Sequence, residues 1–327
     1  MRATGERQTR RLLSDGGVSV IITCYNDAEY VAGAIENALA QEYTPLEVII
    51  VDDGSTDESV QVIAPYTTDP RVRVIRHHEN RGLPAARNTA IRQAHGEYIA
   101  FLDADDRWLP GKVAAQVAFL RAHPTVGMCY TRARLVTPEG RDLGITHPFS
   151  PTDDRRATLR RLFIQGGGGI PPSTVMVRRE VFDVVGLFNE RLRMRQDREL
   201  WTRIAAQFAI ARLDEALALK TQRPNSLGAN AVRGAEYTIA STEELVRQFP
   251  ELAPLRGKRL ARLYLQIGVA QLKRGNRREA RRALWAALRH DPFLAQTYPA
   301  LILSFLPRSL MERISATKRK RRTARLP

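Results

Sequence analysis

The sequence predicts an α/β protein: a mainly parallel sheet with helices on both faces, followed by an α-helical subdomain. Three observations carry that reading. Short apolar runs rich in β-branched residues alternate with helical periods from Val18 to Tyr130. Polar clusters recur where those runs end. A helical hairpin pattern occupies 258–290.

The runs VSVII (18–22), LEVIIV (46–51), VRVI (72–75) and YIAFL (98–102) are nearly continuous in hydrophobicity, as strands buried on both faces must be. Between the first two, Val31, Ile35 and Leu39 recur every fourth residue and predict a helix. Ser55-x-x-Glu58 predicts a capping box opening a helix that ends near Ile63. Right-handed crossovers through such helices make the sheet mainly parallel, and ligands then bind beyond the carboxyl ends of its strands. After Tyr130 the pattern is irregular. Gly166 to Gly169 cost backbone entropy without packing, so they predict a mobile loop beside a site. A strand from Ser173 to Val177 follows, then a helix from Asp197 or Arg198 that turns Leu200, Trp201 and Ile204 inward. Tyr264, Ile267, Gly268, Ala280, Leu284, Ala287 and Pro292 fall at the spacing of a tetratricopeptide unit, with Gly275-Asn276 at its turn. A lone unit cannot bury its own face and needs neighbouring helices, the α/β domain or a partner. The expected organisation is a basic tail over 1–15, an α/β domain over 16–225 with halves 16–125 and 126–225, a helical subdomain over 226–306, and a basic tail over 307–327.

Composition narrows the function classes. A chain of 327 residues with 43% hydrophobic and 26% charged residues is ordinary for a soluble globular protein. No apolar run reaches the length of a membrane span, and the N-terminus has no apolar signal region, so the expected location is the cytoplasm. Cys24 and Cys129 are too few for a disulfide framework or a thiolate metal site and read as buried hydrophobes. The net charge of +16 is uneven, with KRKRR at Lys318 to Arg322. Such a run attracts polyanions, either nucleic acid or the anionic inner face of the cell membrane, or is simply a solvated tail. The basic residues lack the interleaved aromatics of a stacking platform, which disfavours nucleic acid. Leu301 to Ile314 either lies in the membrane interface or closes the helical subdomain.

The chemistry concentrates at strand ends. Thr23 to Asp27, Asp52 to Ser55, and Asp103 to Asp106 follow the first, second and fourth runs, and one crevice can collect all three. Asp103, Asp105 and Asp106 repel one another, so a positive charge belongs among them. Closely spaced carboxylates suit a hard divalent cation, Mg²⁺ or Mn²⁺, completed by substrate phosphates and water.

The segment from Val18 through VDDGSTDES, continued by NRGLPAARNTAI and GEYIAFLDADDRW, resembles the nucleotide-sugar-binding half of family-2 glycosyltransferases, which have the Rossmann-like GT-A fold. The likeness is strong from Val18 to about Leu120, resumes over Phe188 to Ala205, and fades beyond Arg223. It implies that Thr23 and Tyr25 line the base pocket, Tyr25 stacking on the base, and that Asp53 accepts a hydrogen bond from the base while Asp52 shapes the pocket. It implies that Arg81 and Arg87 face the diphosphate. Asp103 would sit near ribose and metal, Asp105 would be the principal metal ligand, and Asp106 would support them or cap the next helix. Asp197 would be the base that deprotonates the acceptor, with Gly167, Gly168 and Trp201 on the acceptor side. The donor would be a UDP-sugar first, with dTDP or GDP as alternatives, and the acceptor a glycan, a lipid-linked sugar or a protein. Transfer would invert the sugar in a single displacement. Gln196 stands where a second acid is common, and Thr23-Cys24 replaces a frequent Pro-Thr. No Q-x-x-R-W motif is present, so transfer of one or a few sugars in cell-surface polysaccharide synthesis is expected. A sugar nucleotidyltransferase would carry a G-x-G-T-R loop, which is missing; a non-catalytic scaffold would not need every expected acid.

Overall fold

A computed structural model describes residues 13–146, 148–165, 169–223 and 231–306. The chain divides into two compact units, 1–229 and 230–327.

In the first unit β1 (Val18–Cys24), β2 (Leu46–Asp52), β3 (Val72–Arg76) and β4 (Tyr98–Asp103) pair in parallel in the order β3-β2-β1-β4. Every residue of β1 and β2 is buried, which is why their sequences show no polar alternation. The crossovers are α1 (Ala28–Leu39), α2 (Ser59–Ile63) and α3 (Leu83–Gln93). Val31 and Ile35 of α1 are buried as their spacing predicts, together with Ala34 and Ala38, while Leu39 is half-buried against the same core. The capping box does not form: α2 starts at Ser59, and the Ser55 hydroxyl accepts the N–H of Asn26 at 3.0 Å.

Beyond β4 the chain adds β5 (Arg107–Trp108), α4 (Lys112–Ala122), β6 (Val126–Val136), β7 (Asp142–Ile145) and α5 (Arg155–Ile164). It continues through β8 (Val175–Arg178), α6 (Val181–Val185), α7 (Gln196–Gln207) and β9 (Ala209–Thr221). The sheet runs on as β4-β8-β6-β9-β5 with β7 beside β6, so the parallel half is followed by a mixed half in which β8 is antiparallel to both neighbours. Pro172–Thr174 form a 3-10 turn, which delays the strand expected from Ser173 until Val175. One register decides the site: Arg107 lies opposite Leu219 and Trp108 opposite Ala218.

In the second unit α8 (Ala231–Gln248) and a 3-10 turn (Pro250–Leu255) precede the hairpin of α9 (Arg256–Lys273) and α10 (Arg277–His290). A Cβ on Gly268 would lie 2.6 Å from Cγ of Leu284, so a larger residue there would have to displace that side chain. The hairpin buries its faces on neighbouring helices. Val232 and Ala235 of α8 pack with Leu263, Ile267 and Ala283, and Ala300 and Leu301 of α11 (Thr297–Phe305) pack with Leu272, Ala280 and Leu284. Up to Phe305, therefore, the Leu301–Ile314 stretch belongs to the helical unit, with Ile302 and Phe305 exposed. Residues 1–12 and 307–327 of the basic tails, and Gly167 and Gly168, lie outside the described residues. Among the described residues no helix is long and apolar enough to cross a membrane.

Candidate active site

The parallel register aligns the polar strand ends. Thr23 stands opposite Asp103, Cys24 opposite Asp52, and Asp52 opposite Arg76. The loops beyond are tied together. Asn26 has left-handed backbone, and its Oδ1 accepts the Thr56 N–H at 2.8 Å. Gly54 has φ +74°, and a Cβ there would sit 2.6 Å from the Glu79 carbonyl carbon, so the DDG turn requires glycine twice over.

The two aspartates of that turn divide their labour. Asp53 Oδ1 accepts the Arg81 N–H at 3.0 Å and lies 2.6 Å from His77 Nδ1, while Oδ2 accepts the Gly82 N–H at 2.7 Å. His77 Nε2 lies 3.0 Å from the Thr89 hydroxyl. Asp53, expected to accept a hydrogen bond from a base, holds the 77–82 loop with both oxygens, and Oδ2, with one donor, keeps acceptor capacity. Its neighbour Asp52 is also buried, but its Oδ2 has no hydrogen-bond partner among the described residues, with Arg76 Nε 3.4 Å away. Tyr25 is exposed, as a stacking platform requires, whereas the Arg81 side chain is exposed and only its backbone is fixed.

The acid cluster contains the positive charge its spacing demands. Oxygens of Asp103, Asp105 and Asp106 lie within 4.8 Å of one another. Arg87, 2% exposed on α3, places Nη2 2.6 Å from Asp103 Oδ1. Lys220 Nζ lies 3.0 Å from Asp106 Oδ2 and 3.8 Å from Asp103 Oδ2. Arg223 Nε lies 2.6 Å from Asp105 Oδ2, and its Nη1 2.8 Å from Asp27 Oδ1. Asp106 does not cap a helix. It accepts from the Ser173 hydroxyl at 2.5 Å and the Thr221 N–H at 2.9 Å, bolting the end of β9 to the loop after β4. Burial pushes up Asp105, helped by Asp103, and burial with Lys220 opposing pushes Asp106 to about 6. Burial also acts on Asp103, but Arg87 and Lys220 outweigh it and hold that carboxyl low. The carboxyl that stays most anionic, Asp103, thus stands beside two, Asp105 and Asp106, that burial biases towards protonation. Oxygen donors at this spacing fit a hard divalent cation.

A cavity of about 300 Å³ opens from this cluster. Arg87, Asp103 and Lys220 line one part, and Gly169 to Pro172 with Arg193 to Arg198 line the rest, Asp197 among them. The wall is rigid for reasons invisible in local sequence. Asn88, the N of the ARN motif, bonds both the N–H and the carbonyl of Phe188 at 2.9 Å. Arg203 pairs with Glu199 at 2.7 Å and donates to the Leu187 carbonyl at 2.6 Å. Trp201, expected to turn inward and either to contact the acceptor or to fill the core, does not line the cavity. It is fully buried, tilts against Phe101 and Phe188, and donates Nε1 to the Ile170 carbonyl at 3.3 Å, so it supports the wall from behind.

Residues 19–186 match the family model for Glycosyl transferase family 2, and the chain belongs to that family. Over 234 residues it is 32% identical to the putative teichuronic acid biosynthesis glycosyltransferase TuaG of Bacillus subtilis, covering 70% of this chain and 88% of that protein. The mannosyltransferase PcManGT of Pyrobaculum calidifontis, solved with GDP-Man and Mn²⁺, superposes with a TM-score of 0.57 at 23% identity over 88% of this chain and 85% of its own. Residues 1–349 of S. aureus TarS, solved with UDP-GlcNAc, superpose with a TM-score of 0.58 at 18% identity over 88% and 89%. The fold is that of GT-A glycosyltransferases. Curated Rickettsia relatives are longer, and the chain spans 31 to 35% of their length.

Proposed function

We propose that this protein transfers a sugar, with inversion, from a nucleoside-diphosphate sugar to a hydroxyl of a glycan, lipid-linked or protein acceptor in cell-surface polysaccharide synthesis. The observation that carries the reading is one cavity shared by Asp197, Arg87, Lys220 and Asp103, with Asp105 and Asp106 behind it. The base lies against Tyr25 and Thr23. Asp53, which anchors the 77–82 loop, keeps acceptor capacity on Oδ2 for a base N–H, and Asp52, whose Oδ2 has no hydrogen-bond partner among the described residues, shapes the pocket and is a second candidate. Arg87, whose Nη1 has no hydrogen-bond partner among the described residues, binds the diphosphate with Arg81.

Asp103 and Asp105 would hold Mn²⁺ or Mg²⁺, which when bound supplies positive charge against the diphosphate. Asp197 accepts the acceptor hydroxyl's proton as that oxygen bonds the anomeric carbon and the bond from that carbon to the diphosphate oxygen breaks. The electron pair leaves with the diphosphate, whose growing charge Arg87 and Lys220 face. Trp201 and Asn88 keep the wall carrying Asp197 in place. The basic segment over 307–327 would dock the protein at an anionic membrane surface holding a lipid-linked acceptor.

The test is calorimetric titration with UDP, dTDP and GDP, each with and without Mn²⁺, on the wild type and on Asp105→Ala. Metal-dependent binding of one diphosphate, lost in the variant, is the expected result. Folded protein that binds none of the three would sink the reading. Asp197→Asn is expected to keep that binding and to lose on the order of a hundredfold or more in turnover.

A further inference from the structure

The wall around Asp197 is rich in positive charge. Arg193, Arg195 and Arg198 line the cavity with Asp197, Arg87 and Lys220. Arg87 and Lys220 are matched by Asp103 and Asp106 and, in the proposed function, face the donor diphosphate. Arg193 and Arg195 enter no ion pair among the described residues.

The placement of Arg195 is unfavourable in three separate ways. Its backbone is left-handed, φ 59°, which side chains with a Cβ avoid and which persists where function requires it. It is the N-cap of α7, where the helix presents free N–H groups and partial positive charge. Burial and the adjacent Arg198 charge also press it down to about 10, although Asp197 opposes them. Arg193 lies over Gly82, with Nη1 2.6 Å from where a Cβ would be, and so closes the same corner. An anion at the start of α7 relieves both electrostatic penalties at once.

We propose that Arg195 and Arg193 form a phosphate subsite on the acceptor side, so that the acceptor carries a phosphate or diphosphate beside the sugar whose hydroxyl faces Asp197. The proposal rests on the glycosyl-transfer reading. The short reach follows from Arg195 and Asp197 standing two residues apart in one cavity of about 300 Å³. Two guanidinium forks at a helix start suit a dianion better than a single carboxylate. The phosphate has two possible sources, a lipid-linked sugar or a soluble sugar phosphate.

The experiment saturates the protein with Mg²⁺ and the nucleoside diphosphate that binds it, then titrates inorganic phosphate and farnesyl phosphate at fixed ionic strength. Wild type, Arg193→Gln and Arg195→Asn are compared; Asn tolerates the left-handed backbone and keeps the start of α7. Phosphate binding weakened at least tenfold in both variants, with nucleoside-diphosphate affinity within twofold of wild type, is the expected result. Tighter binding of farnesyl phosphate than of inorganic phosphate assigns a lipid-linked acceptor; equal binding assigns the phosphate group alone. The subsite is overturned if phosphate does not bind the saturated protein, or if the variants weaken the nucleoside diphosphate instead. Should no nucleoside diphosphate bind at all, the transfer reading fails by itself. Phosphate titrated into the free wild type and Arg195→Asn then still decides whether these arginines hold an anion.

Discussion

Arg223 joins Asp105 to Asp27 through one guanidinium, 2.6 Å from the first carboxylate and 2.8 Å from the second. The loop after β1 and the loop after β4 are thereby held by a residue that follows β9. In the proposed function a cation on Asp105 shares that carboxylate with Arg223. Arg223→Gln is therefore expected to bind Mn²⁺ severalfold more tightly, read by calorimetry without nucleotide. An affinity equal to wild type would show that guanidinium and cation do not compete.

Lys220 is the counter-charge of a fully buried carboxylate. Lys220→Met leaves Asp106 without its cation, so the buried carboxyl must take up a proton or stay charged and unpaired, and loss of one partner of a buried pair costs up to about 3 to 5 kcal/mol. Urea denaturation should show a loss of that order. Adding Asp106→Asn removes the stranded carboxyl, so the double variant is expected to be more stable than Lys220→Met alone.

Asp53 is a structural anchor for two backbone amides. Asp53→Ala should speed hydrogen exchange at the Arg81 and Gly82 amides at least tenfold, because each loses its acceptor. Exchange elsewhere in α3 should follow global stability instead. If those two amides exchange at the wild-type rate, the anchor role is wrong.

Lys112 gives the protein an alkaline stability gradient. It is fully buried on α4, over the Trp108 ring at 4.1 Å and bonded to Gln116 at 2.5 Å, and burial lowers it from 10.5 to about 7. Between those values the unfolded chain binds the extra proton, so stability rises with pH from about 7 towards 10.5 and is insensitive to this group below. The gradient is at most about 1.4 kcal/mol per pH unit. The difference in unfolding free energy between wild type and Lys112→Met, measured from pH 7 to 9, should rise along it. A flat difference would show that Lys112 stays charged when folded.

The elements that carry the site were legible because their signals are local. Continuous apolar runs mark β1, β2 and β4, and each ends in polar residues that lie at one edge of the sheet. The inward face of α7 was legible from Leu200, Trp201 and Ile204, all fully buried. Trp201's distance from the cavity surface was not, since periodicity reports which face is buried and not what covers it. The Ser55 motif misled for a related reason: a hydroxyl that can cap a helix can equally bond a neighbouring loop, and Asn26 was nearer.

The sequence by itself determined the α/β class, the strands, the family and the acids that gather at the strand ends, because hydrophobic period and short motifs act over a few residues. Only the tertiary structure decided what neutralises those acids. The β5–β9 register sets Leu219 opposite Arg107, which brings Lys220 to Asp106 across 114 positions and Arg223 to Asp105 across 118. It also decided that Asp53 ties down the 77–82 loop while Asp52 Oδ2 has only Arg76 beside it, at 3.4 Å. Charge pairing of this kind depends on which strands become neighbours, and no local pattern in the chain encodes that adjacency.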